Sequence, residues 1–171
     1  AQNVNTVTIW ACSLACYTPT FLEQGGADVE GTYLWTPFVP LEEADTVPEL
    51  QAYLDAVGGL NKASSWGVGA WAAATAFKQA VDDIVAEDGL NGITRAKILE
   101  RLETMKTSGN FNANGIYGEQ LNIGGPFACF VVMQVQNGEF VRIHPEERGK
   151  LDCSPDNTFE VNLDPTTEFR G

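Results

Sequence analysis

The chain has 171 residues, 44% of them hydrophobic, so one domain, or two small ones, with a sizeable core is expected. Ten basic residues stand against 23 acidic ones, which gives a formal net charge of −13 at pH 7. Nucleic acids and anionic membrane surfaces require clustered Lys and Arg, so this composition excludes both as partners. No apolar run approaches the roughly 18 residues of a membrane-spanning helix.

The N-terminal part of the chain is predicted to contain two short strands and a short helix. Apolar residues that alternate with threonine predict a strand over residues 6–10. A helical turn or two is expected around Phe21 and Leu22. A second strand, rich in β-branched and aromatic residues, is predicted over residues 29–35 and ends before Pro37.

Three helices are predicted in the middle of the chain. Thr46 and Glu49 have the spacing of a capping box, and apolar residues at helical spacing continue from there to a glycine pair at 58–59. An alanine-rich helix is expected over residues 65–86. An amphipathic helix follows, capped by Thr94.

The C-terminal part is predicted to be a β-hairpin with an irregular tail. Residues 127–135 form the most apolar run of the chain, which predicts an inner strand covered on both faces. Asn137 and Gly138 are a type I′ turn signal, so the strand over residues 140–143 should return antiparallel. Because strands alternate with helices along the chain, the fold class is α/β.

Four cysteines indicate an oxidising compartment: Cys12, Cys16, Cys129 and Cys153. An even count in an acidic chain with one histidine fits disulfides. Buried free thiols are one alternative; a metal site is another, disfavoured because the close pair has C-x3-C spacing rather than C-x2-C. Sequence alone leaves the connectivity open, but proximity favours Cys12 with Cys16 and Cys129 with Cys153. A Cys129–Cys153 disulfide would add about 3.5 kcal/mol of stability, so its role would be structural.

No catalytic constellation is visible in the sequence. Residues 67–72 (GVGAWA) have the shape of a dinucleotide fingerprint, but no strand precedes them, so the glycines more simply allow a helix start to approach another surface or a ligand. His144, the single histidine, sits at a surface exit and fits a structural role. The acidic pairs at 82–83 and 87–88 lack calcium-loop spacing and fit a solvated helix face. We therefore expect no enzyme activity, no metal and no cofactor.

Aromatic residues at strand ends and helix starts are the remaining candidates for ligand contact. Trp10, Tyr17 and Trp66 occupy such positions, which line the crevice of open α/β sheets, although core packing is the alternative for each. Trp66 is the most informative of them. It lies between Ser65 and Gly67 at a predicted helix N-terminus, where free N–H groups and a flat ring can meet an anionic or amphiphilic ligand.

Several segments, taken in order, resemble a known family. GTYLWTPFVP (31–40) leads into PELQAYLDAV (48–57), and an alanine-rich segment, TRAKILERL and VQNGEFVRIHP follow. Over roughly residues 6–152 this pattern resembles the C-terminal half of a type I periplasmic solute-binding protein, of the branched-chain amino-acid-binding class of ABC importers.

The resemblance implies a two-lobed α/β fold whose lobes close over a small solute. Helices would pack on a mostly parallel sheet with a C-terminal hairpin. Residues 1–36 would belong to the second lobe, residues 37–125 to a mostly helical first-lobe segment, and residues 126–171 would return to the second lobe. A whole receptor is about twice as long, so the N-terminal half would be missing, and the surface left uncovered would favour a homodimer.

The function implied by the resemblance is extracytoplasmic capture of a solute, in the periplasm or at the cell surface, for delivery to a membrane permease. Trp66, Ser65 and Gly67 would form one wall of the cleft, with Ser13 on the opposite lobe and Trp10 and Tyr17 as further contacts. Family members hold a ligand amine with an acidic residue where this chain has ACSL (11–14), which disfavours an ordinary amino acid. The solute is therefore expected to be small and polar or amphiphilic, either amino-acid-like or an organic acid. A ligand-sensing receptor of the same fold and a hydrolase are the alternatives.

Overall fold

The structure, a computed structural model, describes residues 7–108, 111–118, 127–159 and 161. Eight regular elements, joined by short 3₁₀ turns, make up this part of the chain. They are β1 (Ala11–Cys12), α1 (Pro19–Gly25), β2 (Tyr33–Thr36), α2 (Pro48–Val57), α3 (Ser65–Asp88), α4 (Arg95–Ser108), β3 (Val131–Gln136) and β4 (Glu139–His144). Within those residues, none of the helices has the length and apolar character needed to cross a membrane.

The four strands form one sheet in the order β1-β2-β3-β4. β1 runs parallel to β2, whereas β2–β3 and β3–β4 are antiparallel pairs. The predicted α/β class and C-terminal hairpin are confirmed, but the described part of the sheet is not mostly parallel. One reason is local: a two-residue turn joins β3 to β4, and such a turn can only produce antiparallel neighbours.

The hairpin turn follows its sequence signal closely. Asn137 and Gly138 both have positive φ, 54° and 76°, as a type I′ turn requires. The Glu30 carboxylate accepts hydrogen bonds from the backbone N–H groups of Asn137 (2.7 Å) and Gly138 (3.3 Å). The turn is therefore held from outside the hairpin as well as by its own geometry.

The other strands differ from their predicted bounds. Pairing of the first strand begins only at Trp10, whose carbonyl accepts from Tyr33 N–H, and β1 lies at Ala11–Cys12 rather than at residues 6–10. β2 is shortened because a 3₁₀ turn occupies Gly26–Val29. β3 alternates buried and half-buried side chains, so the prediction that both of its faces are covered is wrong.

The predicted helices are all present, although one cap is wrong. α2 begins after Val47 without a side-chain cap, because the Thr46 hydroxyl donates to the Glu43 carbonyl (2.7 Å) instead. The Ser64 hydroxyl caps α3 by accepting from Gly67 N–H (3.0 Å). Thr94 caps α4 as predicted, accepting from Lys97 N–H (3.3 Å).

One apolar core lies between the sheet and the helices. Leu34, Met133 and Val135 point from the sheet into this core, where they join buried residues of α2 and α3. The opposite face of the sheet remains partly open, with Trp35 48% exposed. Helices therefore cover a single face of the described sheet.

The cysteines lie in the two pairs favoured by the sequence. Cα atoms are 6.0 Å apart in the Cys12–Cys16 pair and 4.0 Å apart in the Cys129–Cys153 pair. Phe130 and Asp152 exchange two backbone hydrogen bonds beside the second pair, of 2.9 and 3.0 Å, which brings the tail against the start of β3.

Candidate functional site

A cavity of about 430 Å³ lies between the segment that follows β1, the hairpin turn and the stretch on either side of α2. We call it the Tyr17 pocket. Half of its lining is apolar (Pro19, Leu22, Leu41, Leu60, Ala63 and Phe140), and the other half is Tyr17, Thr18, Glu42, Asn61, Gly138 and Glu139. Apolar walls with a few convergent polar groups are typical of small-molecule sites, and the volume lies in their usual range.

Tyr17 is fixed from three directions. It directly follows the 3₁₀ turn Leu14–Cys16, which the Cys12–Cys16 disulfide closes, and its N–H donates to the Leu14 carbonyl (3.0 Å). Its ring meets the Phe140 ring edge-on at 4.9 Å between centroids. Its hydroxyl accepts from Leu41 N–H (2.7 Å) and donates to the Glu42 carboxylate. The side chain is 2% exposed and serves as a rigid wall of the pocket.

The ionisation of Tyr17 and Glu42 is coupled through this hydrogen bond. Burial, followed by the charge of Glu42, raises the pKa of Tyr17 well above its usual value, so the hydroxyl keeps its proton at neutral pH. Burial also raises the pKa of Glu42; Glu43 and Glu139 raise it further, while the Tyr17 hydrogen bond opposes the shift. Glu42 is exposed as a whole residue, and its carboxylate lies against the buried Tyr17 hydroxyl.

The neighbouring Glu43 is neutralised by an arginine. Arg142 Nε and Nη2 donate to the two Glu43 oxygens at 2.7 and 2.6 Å, and both side chains are 7% exposed. Gly149 N–H adds a third hydrogen bond to Glu43 (2.8 Å), and Arg142 Nη1 donates to the carbonyls of Pro145 (3.0 Å) and Lys150 (2.9 Å). This cluster ties β4 to the 3₁₀ turn Leu41–Thr46, which carries Glu42.

Glu42 and Glu139 have no such partner in the described part of the chain. None of the ion pairs found there includes either carboxylate. Arg148 comes close, but its guanidinium pairs with Asp45 and reaches only the backbone carbonyl of Glu42 (3.4 Å). The pocket therefore holds two carboxylates without a basic residue in its lining.

Of the residues predicted to contact a ligand, Tyr17 alone lines this pocket. Trp66 is 72% exposed at the start of α3, a few residues beyond Ala63 of the lining. Ser65 is buried, and its hydroxyl finds no hydrogen-bond partner among the described residues. Trp10 and Ser13 are exposed on either side of β1. Ligand contact by these four residues stays a prediction.

The predicted free N–H at Gly67 is not free, because the Ser64 hydroxyl accepts it. The glycine serves close packing instead: a Cβ on Gly67 would lie 2.1 Å from the Tyr53 hydroxyl oxygen. That hydroxyl in turn bonds the Ser64 backbone, accepting from its N–H (3.0 Å) and donating to its carbonyl (3.1 Å). Close approach to another surface, one of the two roles expected for these glycines, is therefore seen at Gly67, whereas a Cβ on Gly69 would have its nearest neighbour at 4.0 Å.

Sequence reasoning missed Glu42, Asn61 and Phe140 as members of the site. Glu42 meets Tyr17 across 25 residues, and Phe140 reaches it from the other end of the chain. No local pattern signals such contacts. The acidic pair at 42–43 was visible in the sequence, but nothing there shows which carboxylate an arginine neutralises.

A second cavity, of about 620 Å³, lies at the carboxyl end of β2 and is almost wholly apolar. Its lining is Trp35, Pro37, Tyr117, Phe127, Cys129, Phe130, Val132 and Asn157. The Asn157 amide already donates to the Ala128 carbonyl (2.9 Å). This cavity offers rings for stacking but little to orient a polar group, so the Tyr17 pocket is the better site for a solute with a polar end.

His144, the remaining candidate for chemistry, is hydrogen-bonded to a carboxylate. His144 Nε2 lies 2.8 Å from Asp152 Oδ2, and this hydrogen bond is the main cause that lowers the pKa of Asp152. Within the described ranges, no group of three His, Cys, Asp or Glu side chains is arranged to hold a metal ion.

Comparison with known proteins gives a consistent result. The profile of a family described as "Periplasmic binding protein" matches residues 1–139. Among solved structures, Rp1789 of Rhodopseudomonas palustris is similar, with TM-score 0.54, 14% identity and coverage of 79% of this chain and 40% of that chain. Leucine-binding protein LivK of Thermotoga maritima is also similar, with TM-score 0.54, 20% identity and coverage of 86% and 38%. The chain thus spans about two fifths of the length of each neighbour. A search of curated proteins found no match.

Proposed function

The chain belongs to the periplasmic binding protein family, and we propose that it is the extracytoplasmic solute-binding component of an ABC importer. It would capture a small polar or amphiphilic solute without chemistry and deliver it to a membrane permease. The observation that carries the proposal is a cavity of about 430 Å³ that combines apolar walls with convergent polar groups.

The position of the Tyr17 pocket supports a role in a two-lobed receptor. We assign residues 1–36 and 126–171 to the second lobe and residues 37–125 to the first. Under this assignment Tyr17 and Phe140 belong to one lobe and Leu41 and Ala63 to the other, so the pocket lies between the two. The hydrogen bond from Leu41 N–H to the Tyr17 hydroxyl would then join the two lobes beside the pocket.

Different residues of the lining would contact different parts of the solute. The aliphatic and aromatic walls would hold the apolar part of the solute, while Glu42, Asn61 and Glu139 would meet its polar end. The exposed Trp66 ring, with Ser65, Trp10 and Ser13, would extend the contact surface in the closed receptor, where a stacked aromatic anchor strengthens binding.

We further propose that the chain works together with the rest of a two-lobed receptor. The solved neighbours are about twice its length, so another segment or chain would complete the cleft. The partly open sheet face around Trp35 is the surface that such a segment would cover. In isolation the same face would favour a homodimer.

The test is a thermal-shift and calorimetric screen of small amines, amino acids and organic acids, with product analysis for each solute that binds. We expect ligand-dependent stabilisation and no product. Leu60→Trp, which fills the pocket, should abolish the stabilisation. Leu90→Trp is the matched control, because both leucines open a three-residue 3₁₀ turn after a glycine, and Leu90 lies outside the pocket. Turnover of a solute, or binding that survives Leu60→Trp, would contradict the proposal.

A further inference from the structure

We propose that the solute held by the Tyr17 pocket is an organic cation, a protonated amine on a short apolar chain, and that Glu42 and Glu139 bind the amine. The inference rests on the proposed function and adds the chemical class of the ligand. It replaces the amino-acid-like solute or organic acid that is expected from the sequence.

The charges around the pocket favour a cationic ligand. Its lining contains the two carboxylates and no basic residue. The two nearby arginines are paired, Arg142 with Glu43 and Arg148 with Asp45. Lys62 stands between Asn61 and Ala63 of the lining, but its side chain lies beside Gly58 and is not part of the lining. A chain with net charge −13 adds to the negative potential at the site rather than cancelling it. The missing positive charge is what a cationic ligand would supply.

The Glu42 carboxylate is held in place for such a ligand. The buried Tyr17 hydroxyl donates to it, and the Tyr17 hydroxyl is itself fixed by Leu41 N–H. Burial and the nearby charge of Glu139 make the ionised form of Glu42 costly, as its raised pKa records. An ammonium group beside both carboxylates would relieve this cost, and a charge-assisted hydrogen bond is roughly twice as strong as a neutral one.

A ligand carboxylate has no cationic partner in the pocket lining. Among the described lining residues, the Leu41 N–H is taken by the Tyr17 hydroxyl and the Gly138 N–H by Glu30. The Thr18 hydroxyl accepts from Phe21 N–H (3.2 Å), so its O–H and the Asn61 side-chain amide are the neutral donors that the lining offers a ligand. An amino acid or an organic acid would therefore bring its negative charge beside Glu42 and Glu139 with only neutral donors to bind it, and like charges at short distance repel each other.

The apolar walls limit the size and shape of the apolar part of the ligand. Leu22, Leu60 and Phe140 surround a cavity of about 430 Å³, which has room for a branched chain of a few carbons beside the amine. Three compounds share one branched alkyl group and differ in charge: 3-methylbutylamine is a cation, leucine is a zwitterion and 4-methylpentanoate is an anion. They separate the effect of charge from that of shape.

Calorimetry and thermal shift of the whole chain with these three compounds at pH 7 test the inference. We expect 3-methylbutylamine to bind at least about tenfold more tightly than leucine, and 4-methylpentanoate not to bind. Glu42→Gln and Glu139→Gln should each weaken amine binding about tenfold or more, a difference of about 1.4 kcal/mol. Glu146→Gln, at an exposed carboxylate outside the lining, is the matched control and should leave binding unchanged.

The possible failures are distinguishable. Tighter binding of leucine or 4-methylpentanoate that Leu60→Trp abolishes would overturn the cation assignment and leave the solute-binding proposal standing. The same holds if Glu42→Gln and Glu139→Gln both bind the amine as the original chain does. Amine binding that persists in Leu60→Trp would overturn both the assignment and the site. If none of the three compounds binds, the cation assignment is wrong.

Discussion

Replacement of Arg142 by methionine is the sharpest test of how this fold is held together. The change removes the guanidinium and leaves the Glu43 carboxylate buried, with Gly149 N–H as its remaining hydrogen-bond donor among the described residues. Loss of one partner from a buried ion pair typically costs about 3–5 kcal/mol, because the other charge is left unpaired. The carbonyls of Pro145 and Lys150 also lose a donor, which places the expected loss in the upper half of that range.

The effect on thermal stability follows from the size of the chain. In a protein of this length, 1 kcal/mol shifts the melting temperature by roughly 2–4 °C, so the full range corresponds to a fall of roughly 6–20 °C. Urea denaturation followed by circular dichroism measures the free energy of unfolding directly. The double replacement Glu43→Leu with Arg142→Met removes both charges and should cost less than either single change.

Arg148→Met is the matched control for this experiment. Arg148 makes a similar two-oxygen contact with Asp45, but more than half of each side chain is exposed. Solvent screens such a pair, so its loss should barely change stability. Equal losses from Arg142→Met and Arg148→Met, or a double variant as unstable as the two single variants added together, would refute the reasoning.

Three further predictions concern the site and the start of α3. Because burial raises the pKa of Glu42, the folded state binds its proton more tightly than the unfolded state, so Glu42→Gln should stabilise the unliganded chain at pH 7. That gain should shrink as the pH falls through the raised pKa and vanish below the ordinary glutamate pKa; melting temperatures across a pH series measure it. Trp66→Ala should cost less than about 2 kcal/mol in urea denaturation, because the ring is 72% exposed, whereas truncation of a core tryptophan costs about 3–5 kcal/mol. Gly67→Ala should cost about 1–3 kcal/mol by displacing the Tyr53 hydroxyl from its two backbone hydrogen bonds, whereas Gly69→Ala, 4.0 Å from its nearest neighbour, should stabilise the helix by up to about 1 kcal/mol. Equal effects of the two glycine changes in the same assay would contradict the packing role.

Local signals predicted the elements that depend on local contacts. The type I′ turn at 137–138 and the cap at Thr94 are set by a few consecutive residues, and both are confirmed. Thr46 shows where local reasoning fails: its spacing to Glu49 matches a capping box, yet its hydroxyl is taken by the Glu43 carbonyl. The position of β1 could not be read from alternation either, because a strand begins where a neighbour is available to pair with it.

The candidate site was likewise predictable only where local sequence patterns determine it. Tyr17 was accessible to sequence reasoning because it is an aromatic residue near the end of a predicted strand, where crevices form. Its partners were not, because Leu41 and Glu42 approach it through tertiary packing across about 25 residues. The helix start at Ser65 was correctly located, but Ser64, one residue earlier, takes the N–H that was expected to be free.

The contrast between Glu42 and Glu43 shows what the fold adds to the sequence. The two residues are adjacent and chemically identical, and they share a 3₁₀ turn, Leu41–Thr46. The backbone is kinked at Glu43, whose φ of −114° and ψ of 19° are not helical, so the two side chains leave the segment in different directions. Glu43 therefore faces inward to Arg142, 99 residues away, whereas Glu42 faces the Tyr17 pocket. One carboxylate is neutralised inside the protein, and under our proposal the other binds the ligand, so the same segment that stabilises the fold would also set the charge of the solute.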